Sequence, residues 1–367
     1  MIRSLSINEF RGFEHFELCD LGRINLLVGS NNCGKTSILE AIQLYAGKSP
    51  APLLQIATRR GEIHMEGSES HRRYDRMLDI SHLFHGHQIY PGASFDIAAT
   101  TDAGKNRFTA QITEDKNRQV GKTEPGLDEL ESNLVLELSW VGGETEAALS
   151  VNVEGSIRVG SGAAPGLRSH KRTNGADAVC IFSGGLDVED VVNMFESVVL
   201  NPEEDLVTRA LRTIEPTIER LATVSSDRPV DRYAERGGIV VRCEGVEGRV
   251  PIGSMGDGMW RMLGLALALV SAKNGILLVD EIDTGLHFTV MEEMWKLVHS
   301  AARDLGVQVF ATTHSRDAYE SLAGIARSCE FGSREVTIQR IDLEKGSSVV
   351  FDEREIVAAA EHGTEVR

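Results

Sequence analysis

The apolar positions of this chain recur first with the period of strands and then with the period of a helix. Residues 2–10 and 23–28 predict two short strands, and the second one runs into a glycine-rich turn. Apolar residues at helical spacing follow from Lys35 onward and predict a helix there. Residues 49–93 lack a single period, so we expect loops with one short helix.

The middle of the chain changes pattern twice. Residues 93–153 alternate apolar and polar positions between turn-forming residues, which predicts antiparallel strands. Residues 186–220 predict two helices separated at Asn201 and Pro202, and this segment carries nine acidic residues against three basic ones. Such an excess of acids disfavours contact with phosphate backbones, so we expect this segment to pack internally or to bind a protein partner.

The last third of the chain alternates strand and helix patterns. Strand followed by helix in regular succession is typical of a parallel sheet with helical crossovers, so the predicted fold class is α/β. The predicted segments are strands at 239–243, 275–279 and 307–312, helices at 256–272, 287–305 and 315–326, then two further strands and a helix at 353–362.

Composition and charge restrict the classes of protein that remain. The 367 residues carry 55 acidic and 38 basic side chains, a net charge of −17, which does not support a nucleic-acid-coating surface, although a local basic patch remains possible. No apolar run approaches the length of a membrane span, and no leader pattern follows Met1. The five cysteines are scattered without a Cys-x-x-Cys pair, which excludes a disulfide scaffold. We therefore expect a cytoplasmic protein without membrane contact.

The strongest chemical motif lies between the second predicted strand and the helix that follows it. Residues 29–36 read Gly-Ser-Asn-Asn-Cys-Gly-Lys-Thr and match G-x-x-x-x-G-K-[ST]. The glycines let backbone N–H groups surround phosphates, Lys35 can reach the β- and γ-phosphates, and Thr36 can ligate Mg²⁺. We call residues 29–36 the phosphate loop, because this context predicts that function.

Two further motifs follow the ends of predicted buried strands. Asp280 and Glu281 end the strand at 275–279, where Asp280 can hold a Mg²⁺ shell and Glu281 can polarise an attacking water. His314 follows the next parallel strand, so it can reach the same edge and sense a γ-phosphate. The alternative for His314 is an ordinary surface or capping residue.

A second glycine-rich helix start lies at residues 252–258. Ser254, Gly256 and Gly258 place a hydroxyl and two glycines at a predicted helix N-terminus, which is a second cradle for an anion. One nucleotide cannot readily fill two cradles of the same subunit, so we predict that this one closes on the nucleotide of another copy. The alternative is an ordinary helix N-cap.

The order of these motifs resembles the ABC-type ATPase heads of the SMC, Rad50 and RecF group. The segments NEFRGF, INLLVGSNNCGKTSILEAI, SMGDGMWRMLGLALAL, LLVDEIDTGLHF and VFATTHS are more closely similar to AAA15/AAA21-type ATPases related to the OLD family. The resemblance implies a Walker A motif, a Walker B pair at Asp280 and Glu281, a D-loop from Asp283 to His287, and a switch histidine at His314. It implies ATP contacts from Gly29, Asn31, Asn32, Gly34, Lys35, Thr36, Ser37, Ser254, Gly256 and Gly258.

The same resemblance implies an organisation and a setting. We expect an ABC-ATPase-type P-loop NTPase head with an antiparallel β lobe in 1–185, a helical lobe at 186–222, and the remaining head in 223–367. We expect no TOPRIM domain of the OLD kind, because few residues follow His314, and no long coiled coil, because we find no heptads.

The activity implied is hydrolysis of Mg-ATP, catalysed by Glu281 and His314 with Mg²⁺ held by Thr36 and Asp280, in a homo-oligomer of at least two subunits. A separately encoded effector such as a nuclease, in phage defence or nucleic-acid surveillance, would be the partner. Two alternatives remain open at this point. One is a RecF-like DNA-repair ATPase, and the other is a scaffold that binds ATP without hydrolysing it.

Overall fold

The structure is a computed structural model that carries side chains. It describes residues 1–68, 73–114, 133–140, 147–152, 154–159, 178–182, 184–224 and 238–366. The chain divides into two compact units that interleave along the sequence. The first unit comprises Met1–Cys19, Thr36–Asn174 and Asp342–Ser348, and the second comprises Asp20–Lys35, Gly175–Ile341 and Val349–Arg367.

An antiparallel sheet forms most of the first unit. Its strands follow the order β2-β1-β6-β7-β8-β9, and every neighbouring pair is antiparallel. The strands are β1 (Ile2–Phe10), β2 (Phe13–Leu18), β6 (Ser94–Thr101), β7 (Gly104–Glu114), β8 (Leu134–Trp140) and β9 (Ala147–Val151). The four strands predicted within 93–153 are therefore confirmed, and their buried residues alternate as the sequence pattern required.

The remaining described elements of the first unit correct one prediction. Residues 49–93 contain the expected short helix, α2 (Ala51–Arg60), but also the strands β4 (Ile63–Ser68) and β5 (Arg73–Asp79). A third strand, β10 (Ser156–Val159), pairs with β5 to complete a small sheet. The prediction of loops was wrong here because charged residues and a histidine occupy strand positions in IHMEGS and RYDRMLD and hide the alternation. Helix α1 (Lys35–Gly47) begins at the predicted residue.

A parallel sheet forms the centre of the second unit. Its strands follow the order β11-β15-β16-β3-β17, and each neighbouring pair is parallel. They are β3 (Ile24–Val28), β11 (Ala178–Ile181), β15 (Ile276–Val279), β16 (Gln308–Thr312) and β17 (Val336–Asp342). Strands β3 and β16 are buried at every residue, as expected of strands covered on both faces. The carboxyl ends of β3, β15 and β16 therefore meet at one edge.

Helices surround this parallel sheet and bury its apolar faces. They are α3 (Val188–Val198), α4 (Glu204–Arg212), α5 (Asp257–Ser271), α6 (Phe288–Asp304), α7 (Arg316–Ser328) and α8 (Glu353–His362). Helix α5 is buried almost all round, with Leu263, Ala266 and Leu267 fully inaccessible, as its continuous apolar sequence predicts. Strand β18 (Ser347–Phe351) precedes α8.

The segment predicted as two helices needs one correction. Its helices α3 and α4 are confirmed, with a break between Val198 and Glu204. Its end, however, forms the strand β12 (Ile218–Thr223), which pairs with β13 (Ile239–Cys243), itself paired with β14 (Val250–Pro251). Only two of the six residues of β12 are buried, so the apolar signal that distinguishes a strand was short there.

Candidate active site

The phosphate loop has the backbone conformation that its glycines permit. Gly29 has a φ of +146°, and a Cβ built there would lie 2.8 Å from Cys33 Sγ. Gly34 has a φ of +93°, which also lies in the region that side-chain-bearing residues rarely adopt. Asn31 and Asn32 are exposed on the loop. The loop thus needs glycine at both ends to keep its shape.

Lys35 is buried against its own loop. Its Nζ donates hydrogen bonds to the carbonyl oxygens of Gly29 at 2.9 Å and Ser30 at 2.8 Å, and its side chain is almost inaccessible. Burial lowers the pKa of Lys35, while the charges of Asp280 and Glu281 act in the opposite direction. An ammonium held by carbonyl oxygens at a strand end can turn toward an anion that enters the loop, because an anion stabilises its charge more than a carbonyl does.

Asp280 and Glu281 follow β15 directly and share one partner, Thr312 at the end of β16. Thr312 Oγ1 donates to Asp280 Oδ1 at 2.6 Å and accepts a hydrogen bond from the Glu281 N–H at 2.8 Å. Asp280 is buried and Glu281 is partly exposed. The hydroxyl therefore fixes both acids at the same sheet edge, one facing the interior and the other toward solvent.

Arg261, on α5, also holds the backbone of these two acids by hydrogen bonds. Its guanidinium donates to the backbone carbonyls of Asp280 at 3.0 Å, Glu281 at 2.9 Å and Phe182 at 3.3 Å. Burial lowers the pKa of Arg261, while the charges of Asp283, Glu281 and Asp280 raise it. The helix that begins at the second glycine-rich motif is thus bonded to the backbone of the acid pair.

The second glycine-rich motif lies at the start of α5. Ser254 belongs to a single 3-10 turn, Ile252–Met255, and Gly256 is the N-cap residue with a φ of +95°. Both are exposed. Gly258 instead packs inward, because a Cβ there would lie 3.1 Å from the carbonyl oxygen of Gly285. A larger residue there would crowd the predicted D-loop at Gly285.

His314 is exposed at the same edge as the acid pair, two residues past the end of β16. Its neighbour Thr313 is buried and donates to Asp283 Oδ1 at 2.5 Å, which connects this segment to the predicted D-loop. Thr313 Oγ1 also accepts a hydrogen bond from the Ser315 N–H at 2.9 Å. These bonds fix the backbone on both sides of His314, and its role as a γ-phosphate sensor stays a prediction.

The structure brings part of the predicted site together within the second unit. Lys35, Asp280 and Glu281 are near enough for their charges to act on one another, and Thr312 and Arg261 bond to the acid pair. Thr36 and Ser37 follow Lys35 in the first turn of α1, and their roles stay predictions, as does ATP contact by Ser254 and Gly256. Among the described residues, no group of three or more histidine, cysteine or carboxylate side chains could enclose a metal ion.

Sequence reasoning missed two residues of this site. Thr312 lies inside the Thr-Thr-His-Ser motif, where His314 carries the more recognisable chemistry. Arg261 interrupts an otherwise apolar helix, and a single charge among buried positions is a signal that it has a specific partner. Arg261 could have been singled out on that basis.

Comparison with known proteins agrees with this geometry. Residues 1–137 match the family model described as an AAA ATPase domain. Residues 187–318 match the model described as "AAA domain, putative AbiEii toxin, Type IV TA system". The first segment contains the phosphate loop, and the second contains the acid pair and His314. Both matched segments are therefore similar to AAA-type ATPase domains, which supports an ATPase activity, and the described elements form an α/β fold.

Individual relatives are distant. An ATP/GTP phosphatase of Helicobacter pylori is 21% identical over 352 residues, which cover 90% of each chain. An uncharacterized protein of Methanocaldococcus jannaschii is 47% identical over 45 residues, which are 12% of this chain and 20% of that protein.

Two solved SMC head structures are also similar over nearly their whole length. The SMC head domain from Thermotoga maritima is 13% identical, covers 96% of this chain and 98% of its own, and has a TM-score of 0.44. A Smc head with an extended coiled coil, bound to the C-terminal domain of ScpA derived from Pyrococcus furiosus, is 12% identical. It covers 99% of both chains with a TM-score of 0.46.

None of the helices among the described residues combines the length and the apolar character needed to cross a membrane.

Proposed function

We propose that this ATPase binds Mg-ATP on the phosphate loop and hydrolyses it with Glu281 as the general base. The observation that carries the proposal is the joint placement of Lys35, Asp280 and Glu281 at one edge of the parallel sheet. Lys35 is a buried cation whose hydrogen bonds go to two backbone carbonyls and to the Cys33 sulfur, so an anion entering the loop is a partner it is suited to receive. Asp280 offers the oxygen ligand that Mg²⁺ prefers.

Each residue then has a defined task. Lys35 turns from the carbonyls of Gly29 and Ser30 to the β- and γ-phosphates. Asp280, oriented by Thr312, and Thr36, the first residue after Lys35, hold Mg²⁺. Bound Mg²⁺ supplies positive charge that stabilises the transferring phosphoryl group. Mg²⁺ beside a nucleotide needs only one or two protein ligands, since phosphates and water supply the rest, so three clustered carboxylates are not required.

Glu281 is suited to act on water, because its carboxylate is partly exposed while its backbone is held from two sides. It takes a proton from the water that attacks the γ-phosphate. His314, at the same sheet edge, contacts the γ-phosphate and helps to place that water. ATP hydrolysis without Glu281 would contradict this assignment, and His314 would be the next residue to replace.

The site is completed by a second copy of the chain. Ser254 and Gly256 are exposed at the start of α5, where backbone N–H groups and the helix dipole favour an anion. In an isologous pair, each nucleotide would contact the phosphate loop of one subunit and this motif of the other. ATP would then favour association, because it binds both subunits at once.

A mixing experiment tests the shared site. Lys35→Ala removes the loop cation, and Ser254→Trp adds bulk at an exposed position without changing a glycine backbone. Each variant alone should be inactive, and an equimolar mixture should regain hydrolysis, since one site of the mixed pair combines an intact loop with an intact motif. Glu330→Trp, exposed near the start of β17, is the matched control and should behave as the wild type. Full activity of a strict monomer would overturn the shared site.

ATP binding and hydrolysis in turn control a separately encoded effector, such as a nuclease, in phage defence or nucleic-acid surveillance. Support comes from the likeness of residues 187–318 to a domain described with a putative toxin of a type IV system. The net charge of −17 favours a protein partner over direct coating of nucleic acid. Capture of the product of a neighbouring reading frame by the Glu281→Gln protein, only when ATP is present, is the expected result. Equal capture without ATP would contradict it.

A further inference from the structure

Arg261 is a buried charge that the roles above do not use. It lies one turn into α5 among apolar residues, and its side chain is about nine-tenths buried. Its hydrogen-bond acceptors at Asp280, Glu281 and Phe182 are backbone carbonyls, whereas buried arginines more often pair with carboxylates. A buried guanidinium is costly to keep, and an apolar residue of similar size would pack in this helix. The arrangement therefore calls for a reason beyond packing.

The reason lies in the backbone of Glu281. This residue has a φ of +50°, in the left-handed region that is strained for any residue with a side chain. Such a conformation persists only where the surroundings determine it from several sides. The Glu281 N–H is held by Thr312 Oγ1 at 2.8 Å, and its carbonyl oxygen is held by Arg261 at 2.9 Å. The same carbonyl oxygen also accepts from the Thr284 N–H at 3.0 Å, so Arg261 supplies one of three hydrogen bonds to the backbone of this strained residue, and the one that comes from α5.

The same guanidinium connects two parts of the site. Arg261 belongs to the helix whose first residues form the exposed motif at Ser254 and Gly256. Only one helical turn separates its Cα from that helix start, so a shift of α5 moves the guanidinium as well. The carbonyls of Asp280 and Glu281 would follow, because they are bonded to it.

We propose that Arg261 is a positioning residue that holds Asp280 and Glu281 in the conformation that directs the Glu281 carboxylate at its water. This inference rests on the proposed function, since it takes Glu281 as the base. Through Arg261, the geometry of the base depends on the position of α5. Nucleotide binding to the phosphate loop does not depend on it, because Lys35 is held by its own loop.

Two substitutions test the proposal by separating binding from turnover. Arg261→Met keeps the length and apolar stem but removes all donors. Arg261→Lys keeps the charge but loses the planar fork that reaches several carbonyls at once. We expect the ATP affinity of Arg261→Met, measured with a fluorescent ATP analogue, to stay within about twofold of wild type. The rate of single-turnover hydrolysis should fall about ten- to a hundredfold, which is the effect of misplacing a catalytic group by about 1 Å. Arg261→Lys should recover part of that loss.

The matched control is Arg23→Met. Arg23 is partly buried, donates to the carbonyl of Ala302, and pairs with Glu335 near the amino ends of the parallel strands, away from the phosphate loop. It should change thermal stability without changing the hydrolysis rate of the folded protein. If Arg261→Lys folds and hydrolyses ATP at the wild-type rate, or if affinity falls as much as turnover, the positioning role is wrong. Normal turnover by Glu281→Gln would instead overturn the proposed function itself.

Discussion

Replacing Thr312 by valine removes a single hydroxyl on which both acids of the site depend. Threonine and valine are both β-branched and nearly the same in shape, so the change at the buried end of β16 is confined to the hydroxyl and the methyl that replaces it. What is lost is the donor to Asp280 Oδ1, at 2.6 Å, and the acceptor of the Glu281 N–H, at 2.8 Å. The substitution therefore tests whether these two bonds organise the site.

The expected size of the effect follows from the kind of each bond. A hydrogen bond to a charged carboxylate contributes about 1.5–3 kcal/mol, and an N–H left without its acceptor costs about 1–3 kcal/mol when buried. The added methyl of valine returns about 0.8 kcal/mol through burial. We expect Thr312→Val to lower the free energy of unfolding by roughly 2–5 kcal/mol. Hydrolysis should fall at least about tenfold, because Asp280 and Glu281 both lose their orientation.

Urea unfolding followed by circular dichroism measures the stability, and phosphate release under saturating ATP measures turnover. The control is Thr208→Val, because Thr208 is a buried threonine on α4 outside the site. Its unfolding midpoint should stay close to that of the wild type. An unfolding midpoint of Thr312→Val equal to that of Thr208→Val, with normal phosphate release, would refute the reasoning.

Three further substitutions, one of them with a matched control, test other parts of the structure. Lys35→Ala should abolish ATP binding in calorimetry while the protein remains folded, and undiminished affinity would show that the phosphate loop is wrongly assigned. Glu40→Gln should lower the free energy of unfolding in urea by about 3 kcal/mol, because this fully buried carboxylate pairs with three arginines. The control Glu320→Gln, in an exposed ion pair, should change it by less than about 0.5 kcal/mol. Burial lowers the pKa of His299 in the folded protein below its unfolded-state value of about 6.5. The neutral imidazole therefore contributes its full stabilisation at pH values above the unfolded-state pKa, and this stabilisation is lost as the pH falls through the folded-state pKa. His299→Gln should therefore lose less stability on acidification than the wild type, and parallel stability curves would contradict this.

The parts of the fold that could be predicted are those where one local pattern dominates. Strands β3, β15 and β16 are short apolar runs, and each is followed directly by a motif with candidate functional residues. Because helices alternate with these strands, the strands are expected to be parallel, which places the three motifs at one edge of the sheet. The phosphate loop could be predicted because its glycines and Lys35 form a continuous motif.

The elements that were missed depend on tertiary contacts. Strand β2 buries Phe13, Phe16 and Leu18, a spacing that does not alternate, because its first residues follow a tight connection from β1. Strand β5 is stabilised by partners on both sides, β4 and β10, which no local window contains.

Arg261 and Thr312 were missed for the same physical reason. Arg261 lies 19 and 20 residues from the carbonyls that it binds, and Thr312 lies 32 residues from Asp280. Their importance comes from bonds that form only when the helix and two strands are assembled. A sequence shows that a charge or a hydroxyl is unusual at a buried position, but it does not show which groups it meets.

The central claim is that this chain hydrolyses ATP through Glu281 at the edge of its parallel sheet. The most direct test compares Glu281→Gln with the wild type in two measurements, ATP affinity and the rate of a single turnover. The account predicts unchanged affinity and a rate at least about a hundredfold lower, since a general base typically contributes about that much. Equal single-turnover rates for the two proteins would contradict it.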